Sequence, residues 1–391
     1  MINRLSMNHS RKLIFQVYWI VLLVSFSRTV YPSTPAGTPY LSHFSPPAGY
    51  SPEITAIARD DFGNLYLASR QGILIFDGIS WEILPDIRQP ASLYFDRKHE
   101  KLWIGGNGYI GFIHATHGSQ EPFQIVTRND SIYGNFERIL TFPDSLVFCS
   151  NRAVVSIPDS SHFSVLISRQ NQIFSGFLVH KGQLYINVAD SGLFRYSESR
   201  LVPVAKGNRF SRDAILFSMP FDRDHTFFGT DNSFTYLFDG QNFTDYIPAD
   251  EEYLFNRILT HAILLNDSTL VLGTRNGGAL ILNAHTRKTR FIINYQSGLP
   301  DNEVLSLGQS ENHALLIGHP YGFSRIDLTL PVSSYNVFPG LEGNILTLLP
   351  AKDRLIVGTS EGVFIQKQIR EYEKTRIMVR VPVRITDTVT R

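Results

Sequence analysis

Cysteine is nearly absent from this chain: Cys149 is the single one in 391 residues, so no internal disulfide can form and packing alone must hold the fold. It falls inside an apolar segment and reads as a small buried hydrophobe. An excess of either charge is also missing. Lys and Arg number 36 against 35 Asp and Glu, a net charge of +1, which gives no electrostatic footprint for nucleic acid or an anionic membrane. No apolar run after residue 26 is long enough to span a bilayer. The sequence has no Gly-x-Ser-x-Gly elbow, P-loop, His-Glu-x-x-His or EF-hand loop, so neither catalytic residues nor a cofactor are expected. His114 and His117 are three apart with no nearby cysteine or carboxylate, which suits a turn better than a metal site. The acidic groups Asp60-Asp61, Asp222 with Asp224, and Asp250-Glu251-Glu252 read as solvated loops.

What the chain does have is a repeat. Leu270-Val271-Leu272-Gly273-Thr274 has counterparts starting at Leu65, Leu102, Leu146, Leu184, Thr226, Leu315 and Leu355, spaced 37 to 45 residues apart. A period near 40 with several strands per unit predicts an all-β fold, a β-propeller of about eight four-stranded repeats, with seven blades plus the start of a second array as the alternative. The strand cores are continuous apolar runs because neighbouring blades cover both faces. The fourth core position is small in every repeat (Ala68, Gly105, Cys149, Asn187, Gly229, Gly273, Gly318, Gly358), where packed sheets converge and a side chain would collide with the next blade. Asn187 is the polar member of that column and must find hydrogen-bond partners there.

Read in order, residues 1–27 carry Arg4, Arg11 and Lys12 before an apolar run from Leu13 to Phe26, the pattern of a secretory signal and, less well, of an uncleaved anchor. A periplasmic or secreted protein is expected. Residues 28–53 form a proline-rich lead-in, 54–368 the propeller, and 369–391 a charged connector. The first blade reads Ile54 to Asp60, Leu65 to Ser69, Ile73 to Phe76 and Trp81 to Leu84. The eighth repeat shows three strands, so its fourth must come from elsewhere. The candidates are Pro39 to Phe44 and Ile377 to Ile385, and the first is favoured because Pro382 would interrupt a ladder.

Several of these segments resemble the two-component-regulator propeller, the sensor region of bacterial hybrid histidine kinases and triple-tyrosine-motif regulators. They are Gly298-Leu299-Pro300-Asp301-Asn302-Glu303-Val304, Leu102-Trp103-Ile104-Gly105, Gly322-Phe323-Ser324-Arg325-Ile326-Asp327, His43 to Pro47, and Gly72 to Gly78. The resemblance covers roughly residues 40 to 368. It implies a sensor that binds a ligand without turnover and signals to a membrane partner or a C-terminal output region. Nothing here matches the further repeats, triple-tyrosine domain, transmembrane helix or kinase of such proteins, so the output part is expected to be missing from this chain.

The turns between second and third strands should open on one face around the channel mouth. They carry Arg70, Asn107, Tyr109, Arg152, Asp190, Asp231, Arg275, His319, Tyr321 and Glu361. Such a ring suits a small polar ligand or glycan fragment, with hydroxyls meeting Arg, Asn and Asp while tyrosine rings stack on sugar faces. Taken singly, each of the Asn and Asp residues is also an ordinary turn former. A secreted carbohydrate-active propeller enzyme and a cell-surface binding scaffold are the alternatives.

Overall fold

The computed structural model describes residues 38–84, 87–114, 123–169, 171–330, 332–334, 341–351, 354–368 and 376–381. The expected secretory signal lies outside them. The described residues fall into two compact units, 38–334 and 341–381, taken separately below.

The eight repeats counted in the sequence are eight four-stranded antiparallel sheets. Seven belong to the first unit. The first blade is Ala56–Arg59, Leu65–Ser69, Gly72–Phe76 and Trp81–Leu84. The inner strands of the next six are Pro90–Asp96, Phe136–Phe142, Phe174–His180, Ile215–Pro220, Leu259–Asn266 and Ser306–Gln309. Their second strands are almost wholly buried, which is why those cores read as unbroken apolar runs.

The ring closes from the seventh blade to the first. Ser306 Oγ donates to the Ile54 carbonyl at 2.8 Å, and Ile54, Leu67, Leu316 and Phe323 share one core. The ring of the first unit therefore has seven blades, and the eighth four-stranded sheet belongs to the second unit. Closure uses the N-terminal strand, as expected, but on a different blade. Leu41–Phe44 is the outer strand of blade seven, with Leu41 opposite Ile326 and Phe44 opposite Phe323. The eighth sheet (Ile345–Ala351, Arg354–Thr359, Gly362–Gln368) takes the other candidate, Arg376–Val381, as its fourth strand. The proline objection does not apply, because that ladder ends at Val381.

The small-residue column has the predicted cause. A Cβ on Gly105 would lie 2.5 Å from Ser92 Oγ and 2.8 Å from the Phe136 carbonyl of the next blade. The close approach is itself a bond, since Ser92 Oγ donates to Phe136 O at 2.7 Å. The same serine or threonine link joins Thr260 to Val304 O and Ser306 to Ile54 O. Asn187 keeps its place by donating Nδ2 to the carbonyls of Phe210 (3.0 Å) and Asp213 (2.8 Å), while its Oδ1 stays unpartnered. Cys149 is fully buried and its thiol is pushed well above the ordinary range by that burial.

The acidic clusters hold turns. Asp60 is buried, against expectation, because it accepts from the Phe62 and Asn64 amides and from Asn64 Nδ2. Asp222 similarly takes the Asp224 and His225 amides. Glu251 and Glu252 begin a one-turn helix, Glu251–Leu254. His114 stacks edge-on against Phe112, and His117 lies outside the described residues. Among the described residues no cluster of His, Cys, Asp and Glu could hold a metal, and no helix is long and apolar enough to cross a membrane.

Candidate functional site

A cavity of ≈ 910 Å³ occupies the channel on the side of blades one to three, reaching blades six and seven. Two of the predicted ring residues line it, Arg70 and Asn107. Both stand on turns between second and third strands, where short antiparallel ladders deliver them beside the inner strands. Arg70 Nη2 pairs with Glu53 Oε2 at 3.3 Å, and both side chains remain substantially exposed. Asn107 forms an isolated backbone bridge to Asn135, joining blades two and three at the mouth. Asn135 Nδ2 donates to Glu137 Oε1 at 3.2 Å, and its Oδ1 has no partner.

Deeper in, the inner strand of blade three sends Arg138 to donate Nη2 to the Leu216 carbonyl on blade five. Desolvation lowers its pKa, opposed by the Glu137 carboxylate. His261 on the inner strand of blade six also lines the cavity, and its Nδ1 lacks a partner. Burial, reinforced by Arg138, pulls this histidine down to about 3, so it is neutral at physiological pH.

The other predicted residues divide by burial. Arg152, Asp190, Asp231, Arg275 and Tyr321 are exposed on their turns but do not line the cavity. Asp231 Oδ1 accepts from the Ala214 amide just before the inner strand of blade five, and Arg275 lies 4.0 Å from Glu303. Glu361 is exposed in the second unit. Tyr109 and His319 need correction as ligand contacts, because both are buried. The strand ladders run one residue further than the turn pattern suggests, pairing Gly106 with Tyr109 and His319 with Gly322. Tyr109 accordingly folds over Gly106 and donates its hydroxyl to Arg88 O at 2.9 Å. His319 Nδ1 accepts from the Tyr321 amide at 3.2 Å, which leaves Nε2–H to donate to Ser324 Oγ at 2.8 Å.

The residues missed were Glu53, Gln89, Asn135, Glu137, Arg138 and His261. A signal for three of them is present. A charge or imidazole inside an inner-strand run, as in Phe136-Glu137-Arg138-Ile139 or Leu259-Thr260-His261-Ala262, cannot face an apolar neighbouring blade and must reach the channel.

Fold and cavity together define a β-propeller with a polar channel mouth. No protein-family model matches the chain, and no curated protein matches it. Among solved structures it is similar to the extracellular domain of the putative hybrid two component system BT3049 from B. thetaiotaomicron, with a TM-score of 0.63 and 16% identity over 86% of this chain and 49% of that one. The corresponding domain of BT4673 from the same organism gives a TM-score of 0.59 and 15% identity over 88% and 48%. A streptogramin B lyase gives 0.56 and 11% over 74% and 97%. The chain thus spans about half the length of the two-component domains it matches.

Proposed function

We propose that this propeller binds a polar ligand such as an oligosaccharide fragment outside the cytoplasm, without turnover, and relays occupancy to a membrane signalling partner or output region. The channel cavity carries this reading. It gathers the Glu53–Arg70 pair and the amides of Asn107 and Asn135 on rigid strand ends, with polar atoms that the protein leaves unpaired. The fold shared with extracellular domains of two-component systems, the basic and apolar start of the sequence, and the motif resemblance support the location and the signalling role. The fold shared with a lyase keeps an enzyme as the second reading, though fold alone does not carry activity.

Isothermal titration with neutral glycan fragments tests the proposal. Arg70→Ala and Asn107→Ala should each weaken binding by about 1–3 kcal/mol, while Arg275→Ala should not. Binding indifferent to Arg70 and Asn107 would place the site elsewhere, and release of product from any fragment would establish the enzyme.

A further inference from the structure

We infer that Arg138 is the anchor for a carboxylate on the ligand that enters the channel. The inference rests on the cavity being the ligand site and names the charged group that site takes.

A guanidinium has five N–H donors, and one hydrogen bond, to Leu216 O, is made by Arg138. Among the described residues no carboxylate lies within ion-pair distance of it. The nearest acidic side chain in sequence, Glu137, is exposed and engaged by Asn135. A cation kept on an inner strand, partly shielded and without a counter-ion, is a costly arrangement unless something negative joins it. A second observation points the same way. His261 is neutral, and its unpartnered Nδ1 faces the field of Arg138 within the same cavity. In the Nδ1–H tautomer it supplies a further donor beside the guanidinium.

The cavity also limits the kind of anion. Glu53 and Glu137 line it with Arg70 and Arg138, so its fixed charges sum to zero (two negative, two positive) with His261 neutral. With no excess of positive charge in the cavity, a monoanion needs fewer counter-charges there than a phosphate or sulfate dianion. A planar carboxylate matches the guanidinium fork and carries a single charge. The rest of the ligand would then face the amides of Asn107, Gln89 and Asn135, which suit hydroxyl or amide groups.

The test uses the full chain and two small probes of nearly equal shape, lactate and its neutral analogue lactamide, followed by titration calorimetry and by thermal shift. Lactate should bind and raise the Tm, and lactamide should bind at least roughly tenfold more weakly. Arg138→Gln should erase the difference between the probes. Arg138→Lys, which keeps the charge and loses the fork, guards against misfolding of the glutamine variant and should retain a reduced preference for lactate. Equal binding of both probes by the natural protein, or an undiminished lactate preference in Arg138→Gln, overturns the inference. Neutral glycans that bind through Arg70 and Asn107 without any Arg138-dependent preference for carboxylates would overturn it while leaving the proposed function standing. An Arg138-dependent preference with no glycan binding would support it and remove the glycan reading instead.

Discussion

Two histidine-containing polar clusters in this propeller are built to opposite ends. At the closing seam, Tyr321 N–H donates to His319 Nδ1, His319 Nε2–H to Ser324 Oγ, and the Ser324 hydroxyl to His43 Nδ1 at 2.8 Å. His43 in turn bonds the Gly298 backbone. Every link is satisfied with both imidazoles neutral, and the chain ties the N-terminal strand to blade seven. In the channel, His261 Nδ1 and Asn135 Oδ1 have no partner, and Arg138 has no carboxylate. Complete satisfaction suits a cluster that holds the fold, and the unpaired channel groups are the ones the proposed ligand would meet.

The comparison breaks most directly at the seam. Deleting residues 1–45 removes Leu41–Phe44, and with it the Phe44 ring that stacks on Phe323 at 4.9 Å. That truncation should lower the Tm of the first unit more than any point substitution, measured by differential scanning calorimetry, while deleting residues 376–391 should leave its transition in place. Equal losses would mean that the seam does not hold the ring.

His319→Ala should come next, costing about 2–4 kcal/mol because it empties a buried site, leaves the Tyr321 amide unpaired and removes the donor that Ser324 Oγ accepts from. The pH dependence follows from the same cluster. Burial pulls His319 down to about 4, with His43 adding to the effect and Asp301 opposing it, and burial also lowers His43. The unfolded chain therefore binds protons that the fold refuses. The stability from His319 is full above the ordinary value of 6.5 and is lost as pH falls from there toward 4, by about 3 kcal/mol at most. Urea melts between pH 7.5 and 4.5 should show this slope in the natural protein and a shallower one in His319→Gln. The channel histidine sharpens the contrast, because His261→Gln should remove only its own share of acid lability and leave the seam's share intact.

Exposed channel-mouth residues should matter for binding and hardly for stability. Arg70→Ala breaks an exposed ion pair, so its change in unfolding free energy should stay within about 0.5 kcal/mol. Arg275→Ala should be the smallest effect of all, silent in both stability and binding, given a 4.0 Å exposed contact outside the cavity. A Tm loss of several degrees in either would give that residue a structural role.

The sequence made the fold legible because its constraints repeat. Gly105 and Gly318 are small for one steric reason that recurs in each blade, and Leu41–Phe44 was visible as a strand looking for a sheet. Which sheet it joined was not visible, since that depends on where the ring shuts, a long-range contact between Ser306 and Ile54. The site was half legible. Arg70 and Asn107 were found from turn position, yet Tyr109 and His319 were misassigned because a ladder longer by one pair turns the side chain from solvent into the core. Arg138 and His261 are illegible from turn position because they stand on inner strands.

The seam holds the fold, and the channel is the proposed ligand site. Ligand-induced Tm shift, measured on the natural protein, on His319→Ala and on Asn107→Ala with the same channel ligand, tests this division most directly. His319→Ala should melt well below the natural protein yet keep the ligand shift, while Asn107→Ala should melt normally and lose it. A shift that vanishes with His319 and survives the loss of Asn107 would contradict it.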